Sequence, residues 1–178
     1  MAKFFGSLLA SLATAAVVSA ALTTGHYQIH DFRGRCVSYV ATSTNNYVPV
    51  VTTPCVNGTQ TQIWNVVSDS PFTPTYIVLT TSGASSAITY ASSTASGAEI
   101  NAQHQQLQLN KNSPPEEDLI IGQIDTTHWT LGDTRGGGRW TSWTARPNTD
   151  LPAPMTLEDV GGSSGPDAQQ LFTFVGPL

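Results

Sequence analysis

The chain carries Tyr27-Gln28-Ile29, Tyr76-Ile77-Val78 and Trp129-Thr130-Leu131, three short stretches of β-forming residues that recur about fifty residues apart. Seven residues after each aromatic stands a glycine, at Gly34, Gly83 and Gly136. Each copy therefore predicts a β-hairpin, in which a short strand leads into a glycine-containing turn and a second strand follows. Three hairpins at a fixed period predict a pseudo-threefold repeat.

The expected second strand of each hairpin extends the repeat. A β-forming residue, a hydroxyl residue and a closing aromatic recur in Cys36-Val37-Ser38-Tyr39, Ala87-Ile88-Thr89-Tyr90 and Trp140-Thr141-Ser142-Trp143. This alignment predicts that Ser38, Thr89 and Ser142 occupy equivalent positions.

Two further strands are expected after each hairpin. They are placed at 48–53 and 62–67, at 98–103 and 119–124, and at 155–160 and 170–175. Four strands in each of three copies predict an all-β domain of the β-trefoil type, a six-stranded barrel capped by three hairpins. The alternative, a β-sandwich, would not require the triplicated glycine and aromatic positions. The domain is expected over 21–178, with repeats at about 25–74, 75–125 and 126–178.

Composition agrees with one compact domain and excludes two classes of partner. The 178 residues are 39% hydrophobic and 11% charged, which suffices for one buried core. The formal net charge is −5, and removal of Lys3 with an N-terminal leader makes it −6. A domain this acidic lacks the basic surface that nucleic acid or an anionic membrane requires, so we expect neither as a partner.

The first twenty residues have the pattern of a signal peptide. Met1-Ala2-Lys3 supplies a positive charge, residues 4–18 are apolar or small, and Val18-Ser19-Ala20 offers a cleavage site. A membrane anchor is the alternative, but the run is shorter than the ~20 apolar residues of a span. We therefore expect a soluble, secreted, extracellular protein with residues 1–20 removed.

Export determines how the two cysteines are interpreted. In an oxidising compartment, Cys36 and Cys55 are expected to form a disulfide that contributes roughly 3 kcal/mol by closing a loop of about twenty residues. Two free buried thiols are the alternative. Asn57-Gly58-Thr59 is an N-glycosylation sequon, so Asn57 is expected on the surface of a glycoprotein.

Three motifs of the first copy resemble one repeat of the ricin B-type lectins. They are Gly34-Arg35-Cys36-Val37, Pro54-Cys55 and Gln62-Ile63-Trp64, the last being the Q-x-W element of that family. A weakened form, Gln170-Leu171-Phe172, stands in the third copy. For this element a structural role is expected, with Trp64 in the core and Gln62 bonded to backbone groups of a turn.

The resemblance implies a sugar site, but two of its groups are replaced. In the family, an aspartate follows the first cysteine by two residues and an aromatic precedes the second by two, where this chain has Ser38 and Thr53. Galactose binding of the usual ricin B kind is therefore not expected. A relocated pocket is expected in the third copy, where Asp133, Arg139 and Trp143 accompany Arg135 and Trp140 around the glycines at 136–138. The alternative is a solvated hairpin tip with one tryptophan buried.

Catalysis finds little support in the sequence. His26 and His30 on one strand would lie about 13 Å apart, too far for one metal ion. The acidic run Glu116-Glu117-Asp118 follows Ser113-Pro114-Pro115 and is typical of a solvated turn. We expect no catalytic residues, no metal and no cofactor.

The sequence thus favours a secreted carbohydrate-binding protein without catalytic activity, with glycans or glycoproteins as partners. The alternative is a secreted β-trefoil protease inhibitor or interaction protein. It would use the proline-bearing loops at 110–118 and 147–154, since proline lowers the entropy lost on docking.

Overall fold

The computed structural model describes residues 22–40, 47–68, 75–81, 87–90, 105–110, 119–133, 138–146, 149–158 and 165–178. These contain twelve strands: β1 (Gly25–His30), β2 (Cys36–Tyr39), β3 (Tyr47–Thr53), β4 (Trp64–Ser68), β5 (Thr75–Thr81), β6 (Ala87–Tyr90), β7 (Gln105–Asn110), β8 (Leu119–Gln123), β9 (Trp129–Asp133), β10 (Arg139–Ser142), β11 (Ala153–Glu158) and β12 (Thr173–Val175). Short 3-10 turns at Gln60–Gln62 and Ala168–Gln170 precede β4 and β12. Within these ranges no helix has the length and apolar character needed to cross a membrane.

Six strands close into a barrel. β1 pairs with β4, β4 with β5, β5 with β8, and β8 with β9, all antiparallel. β12 pairs with the other edge of β1. The ring closes where Trp129 meets Phe172, each donating its backbone N–H to the other's carbonyl at 2.9 Å. Closure leaves the barrel without a free sheet edge.

The other six strands form three hairpins that cap the barrel. They are β2–β3, β6–β7 and β10–β11, and the second strands of these hairpins pair with one another. β3 pairs with β7 and with β11, and β11 also pairs with β7. This mutual pairing gives the cap a pseudo-threefold arrangement. The prediction of an all-β β-trefoil is confirmed, and the sandwich alternative is excluded.

Aromatic rings fill the core between barrel and cap. Phe174 meets Tyr27 and Trp129 edge to face, at centroid distances of 5.9 and 5.5 Å. Trp140 meets Phe172 in the same way at 6.4 Å. Such pairs contribute about 0.5–1.5 kcal/mol beyond the burial of their area. The fold therefore depends on aromatics contributed by the first and third copies together.

One strand of the second copy lies later in the chain than the sequence predicted. The expected strand at 98–103 falls outside the described residues, and β7 takes its place in the cap. Leu107 and Leu109 alternate inward on β7 and are buried. Gln106 points the other way, and its amide donates to the carbonyls of Val50, Leu107 and Met155 at 2.9–3.1 Å. The burial of every second side chain therefore makes this segment a strand, although glutamine itself has only a weak preference for strands.

The boundaries of two predicted fourth strands also shift. Residues 62 and 170 belong to the 3-10 turns, and the strands begin at Trp64 and Thr173. Residues 1–21 lie outside the described part of the chain, so the signal peptide stays a prediction.

Strand pairing corrects the alignment of the third copy by one residue. The pairs Thr52–Ala153, Leu109–Val48 and Leu157–Gln105 make Thr52, Leu109 and Leu157 equivalent. Their hairpin partners are Val37, Ile88 and Trp140, all of which are buried. The equivalents of Ser38 are therefore Thr89 and Thr141, and the placement of Ser142 there was wrong. Burial of the large indole of Trp140 sets this register.

Candidate functional site

The outward side of β10 and β11 carries the strongest grouping of exposed chemistry. Trp140 and Ser142 face inward from β10, and Met155 and Leu157 face inward from β11. Because side chains alternate along a strand, the residues between them face outward. We call this surface the third-hairpin face, made up of Arg139, Trp143, Pro154, Thr156 and Glu158. Thr141 points the same way but is buried.

Trp143 is exposed but fixed in position. Its side chain and backbone together are 41% accessible. The indole Nε1 donates to the Thr156 hydroxyl at 2.7 Å, and that hydroxyl donates in turn to the Glu158 carboxylate. The backbone N–H of Trp143 donates to the Pro154 carbonyl at 3.1 Å. An aromatic surface is thus held next to a carboxylate.

Arg139 adds a cationic donor to the same face. It pairs directly with Glu158 across the two strands and is half-buried. Its Nη1 atom is buried and has no hydrogen-bond partner among the described residues. A buried donor without a partner is costly. Because the Arg139 residue as a whole is only half-buried, its positive charge lies at the edge of this face.

Gln170 connects the third-hairpin face to the neighbouring 3-10 turn. Its amide nitrogen donates to the Thr141 hydroxyl at 3.3 Å, and its amide oxygen accepts the N–H of Asp167 at 3.3 Å. Both Gln170 and Thr141 are buried. In the motif Gln170-Leu171-Phe172, Gln170 therefore has the expected structural role of bonding to a turn, and Phe172 packs in the core.

The equivalent surface of the first hairpin is occupied by internal bonds. Ser38 is buried, and its hydroxyl donates to that of Thr61 at 3.1 Å. Thr53 accepts the amide of Gln62 at 2.9 Å. Trp64 is buried and donates its indole N–H to the Val37 carbonyl at 3.0 Å, as expected for a core position. Ser38 and Thr53 therefore lie together around the turn, but their hydroxyls contact the protein itself.

Gln62 holds the segment that carries the second cysteine. Its amide nitrogen donates to the Pro54 carbonyl at 2.8 Å, and its amide oxygen accepts the Val56 N–H at 2.8 Å. These two bonds lie on either side of Cys55. Cys36 and Cys55 form the expected disulfide, with Cα atoms 5.0 Å apart.

A histidine for which no role was expected lies beside this disulfide. His30 pairs with Cys36 across β1 and β2, and its Nε2 atom is 3.6 Å from the Cys55 sulfur. Burial lowers the pKa of His30, and the charge of Asp31 opposes that shift. No motif spacing indicates this neighbourhood, because the contact between His30 and Cys55 depends on how the segment after β3 folds back against β1.

Asp31 joins the first and third copies through a buried hydrogen-bond network. One carboxylate oxygen accepts the backbone N–H groups of Arg33 and Arg35, each at 2.9 Å. The other accepts the hydroxyls of Ser142 and Thr144, each at 2.7 Å. Asp31 is buried, and no sequence motif indicates its partners.

Arg35 fixes the loop between β10 and β11. Its guanidinium is buried and donates to the carbonyls of Thr149 and Leu151, at 2.5 and 2.6 Å, and to that of Thr52 at 2.9 Å. The Leu151 residue itself is 73% exposed. The loop therefore presents an apolar side chain from a backbone tied to the core.

The other sequence-predicted residues are spread over the molecule. Trp140 lies in the core and is fully buried, so it does not share the exposed face of Trp143. The side chain of Asp133, and Arg135 with residues 136 and 137, fall outside the described part. Asn57 is exposed in the turn after Cys55. Sequence reasoning missed Thr156 and Glu158, although their alternation with Met155 and Leu157 was a signal that could have found them.

Three solved structures illustrate what this fold resembles. ThreeFoil, a designed threefold-symmetric protein, matches with a TM-score of 0.63 and 15% identity over 85% of this chain and 99% of its own. The ricin B-like lectin of Macrolepiota procera, solved with lactose, matches at 0.61 and 13% identity over 87% and 97%. A proteinase inhibitor from Coprinopsis cinerea matches at 0.59 and 15% identity over 86% and 98%.

Sequence comparison gives no closer relation. No protein-family model and no curated protein sequence matches this chain. At identities of 13–15%, the structural likeness shows the fold alone. The chain therefore has the β-trefoil fold, in a divergent form of the kind found in ricin B-like lectins.

Proposed function

We propose that this is a secreted carbohydrate-binding protein without catalytic activity, whose partners are glycans or glycoproteins and whose ligand site is the third-hairpin face. The observation that carries the proposal is the exposed Trp143 indole, hydrogen-bonded through Thr156 to Glu158. The lectin likeness of the fold supports it.

The chemistry of this face matches that of a pyranose. A sugar ring has apolar C–H groups on one face and hydroxyls at its rim, so it stacks on an aromatic and bonds to polar groups beside it. Trp143 supplies the aromatic, the Glu158 carboxylate accepts from hydroxyls, and Arg139 donates to oxygens. Fixing the indole in advance lowers the entropy lost on binding.

Secretion and glycosylation belong to the same proposal. The N-terminal pattern and the disulfide support an exported protein, since disulfides persist in oxidising compartments. The exposure of Asn57 is what a glycosylated sequon requires. Mass spectrometry of the secreted protein would test both the cleavage after Ala20 and the glycan at Asn57.

A glycan array with matched variants tests the proposed site. Trp143→Ala is expected to weaken the best glycan by about 2 kcal/mol, or roughly thirtyfold. Tyr47→Ala removes another exposed aromatic, 55% accessible, and should leave binding unchanged. Both variants must keep the wild-type circular dichroism spectrum. If the array is silent for the wild type, or if Trp143→Ala binds normally, the proposal fails.

A protease-inhibiting or interaction role is the second candidate, and one observation favours it. The loop that carries Leu151 is fixed through its carbonyls by the buried Arg35, and a proteinase inhibitor shares the fold. The other loop considered, at 111–118, lies outside the described residues. A protease panel distinguishes the candidates: nanomolar inhibition that Leu151→Asp abolishes, with no glycan bound, would favour the inhibitor.

A further inference from the structure

Three metal-ligating side chains converge where β1 meets β2. The imidazole nitrogen of His30 and the sulfurs of Cys36 and Cys55 all lie within 4.8 Å of one another. Cys36 is buried and His30 is half-buried, so water reaches the group from one side. His30 Nε2 is 3.5 Å from the Gln28 amide oxygen, too long for a strong hydrogen bond, so this nitrogen is only weakly engaged.

The spacing of these atoms is close to that of a tetrahedral metal site. With metal–sulfur and metal–nitrogen bonds of about 2.3 and 2.0 Å, tetrahedral geometry places nitrogen and sulfur about 3.5 Å apart and two sulfurs about 3.8 Å apart. The His30–Cys55 separation is already 3.6 Å. The two sulfurs, now joined by their bond, would have to separate, and the Cys36 sulfur, which lies within 4.8 Å of the imidazole nitrogen, would have to settle at the tetrahedral spacing from it.

The surrounding structure holds both cysteines independently of the bond between them. Cys36 is paired with His30 on one side and Thr53 on the other. The Cys55 backbone is flanked by the two hydrogen bonds that Gln62 makes. Reduction of the disulfide therefore leaves the ligands near their present positions.

We propose that His30, Cys36 and Cys55 form a binding site for a thiophilic metal ion, Zn²⁺ or Cu⁺, that opens when the disulfide is reduced. A dithiol or phosphine supplies the two electrons, and two protons from solvent complete the two thiols. The metal then displaces both thiol protons and takes the imidazole lone pair as third ligand. Thiolate and imidazole together select these soft and borderline ions. The fourth position is left to water or an external ligand.

Cobalt titration of the reduced protein tests the site. The protein is reduced with a phosphine, freed of reductant without oxygen, and titrated with Co²⁺. Sulfur-to-cobalt charge-transfer absorption is expected to saturate at one equivalent and to disappear when Zn²⁺ is added. The oxidised protein should show none of this absorption.

Three variants separate this site from adventitious binding. His30→Ala should weaken Co²⁺ binding at least about tenfold, since even outer-shell changes cost that much. His26→Ala removes an exposed histidine of the same strand and should leave binding unchanged. Cys36→Ser should abolish the charge-transfer band. The proposal is overturned if the reduced wild type loses its near-ultraviolet dichroism before metal is added, shows no such band, or binds equally well without His30.

Discussion

The buried carboxylate of Asp31 gives the sharpest test of how the copies are held together. Asp31→Ala removes four hydrogen bonds at once. The backbone N–H of Arg33 can donate to water instead, since Arg33 is exposed. The Arg35 N–H is buried and stays unsatisfied, at a cost of about 1–3 kcal/mol. Loss of the bonds from the Ser142 and Thr144 hydroxyls costs about 1 kcal/mol each. The cost is no larger because the two hydroxyls lie 3.0 Å apart and can bond to one another.

These contributions give an expected loss of about 3–5 kcal/mol in the free energy of unfolding, a large share of the stability of a domain. Urea denaturation followed by tryptophan fluorescence measures it, provided the slope of the transition is unchanged. Asp31→Asn is the matched control, because its amide oxygen can still accept both backbone N–H groups. We expect it to cost less than half as much as Asp31→Ala. A loss below about 1 kcal/mol for Asp31→Ala, or equal losses for the two variants, would refute the reasoning.

Three further outcomes are expected. Gln62→Ala removes three hydrogen bonds and should lower the unfolding free energy by about 2–3 kcal/mol in the same urea experiment; an unchanged midpoint would contradict its structural role. The double variant Cys36→Ser/Cys55→Ser should lower the free energy of unfolding by about 3 kcal/mol, because the disulfide joins residues 19 positions apart. A loss under about 1 kcal/mol would argue against this contribution of the disulfide. The backbone N–H of Thr127 and the His128 side chain hold the pKa of Asp125 well below its ordinary 3.8. The ionised Asp125 carboxylate should therefore stabilise the folded protein fully above pH 3.8, and this stabilisation should decline as the pH falls below 3.8. The difference in melting temperature between wild type and Asp125→Asn should therefore narrow below about pH 4; a constant difference would contradict this sign.

The sequence predicted the architecture because each of the three copies independently indicates the same hairpin. The recurring aromatic and glycine positions were enough to predict the barrel and its cap. The cysteine pair, followed by Gln62 and Trp64, was enough to predict the disulfide. The register of the third hairpin was missed because Thr141 and Ser142 are both hydroxyl residues. Only the burial of Trp140 decides which of the two faces outward.

The site could be predicted only in part, because its key contacts are distant in sequence. Trp143 was expected as an exposed aromatic, yet its partner Thr156 is fixed by strand pairing that no local motif records. The bonds from Arg35 to Leu151 and from Ser142 to Asp31 span more than a hundred residues. Such contacts follow from how the first and third copies meet, and a repeat pattern predicts that they meet without giving the side chains involved.

The pairing of β1 with β12 has a consequence for biosynthesis. A ribosome delivers β1 well before β12, so the ring stays open and one edge of β1 keeps unpaired backbone groups until β12 emerges. Closure of the barrel depends on contacts between residues distant in sequence, which makes it slow. Until β12 has left the exit tunnel, that edge of β1 is a place where a nascent chain can pair with a foreign strand.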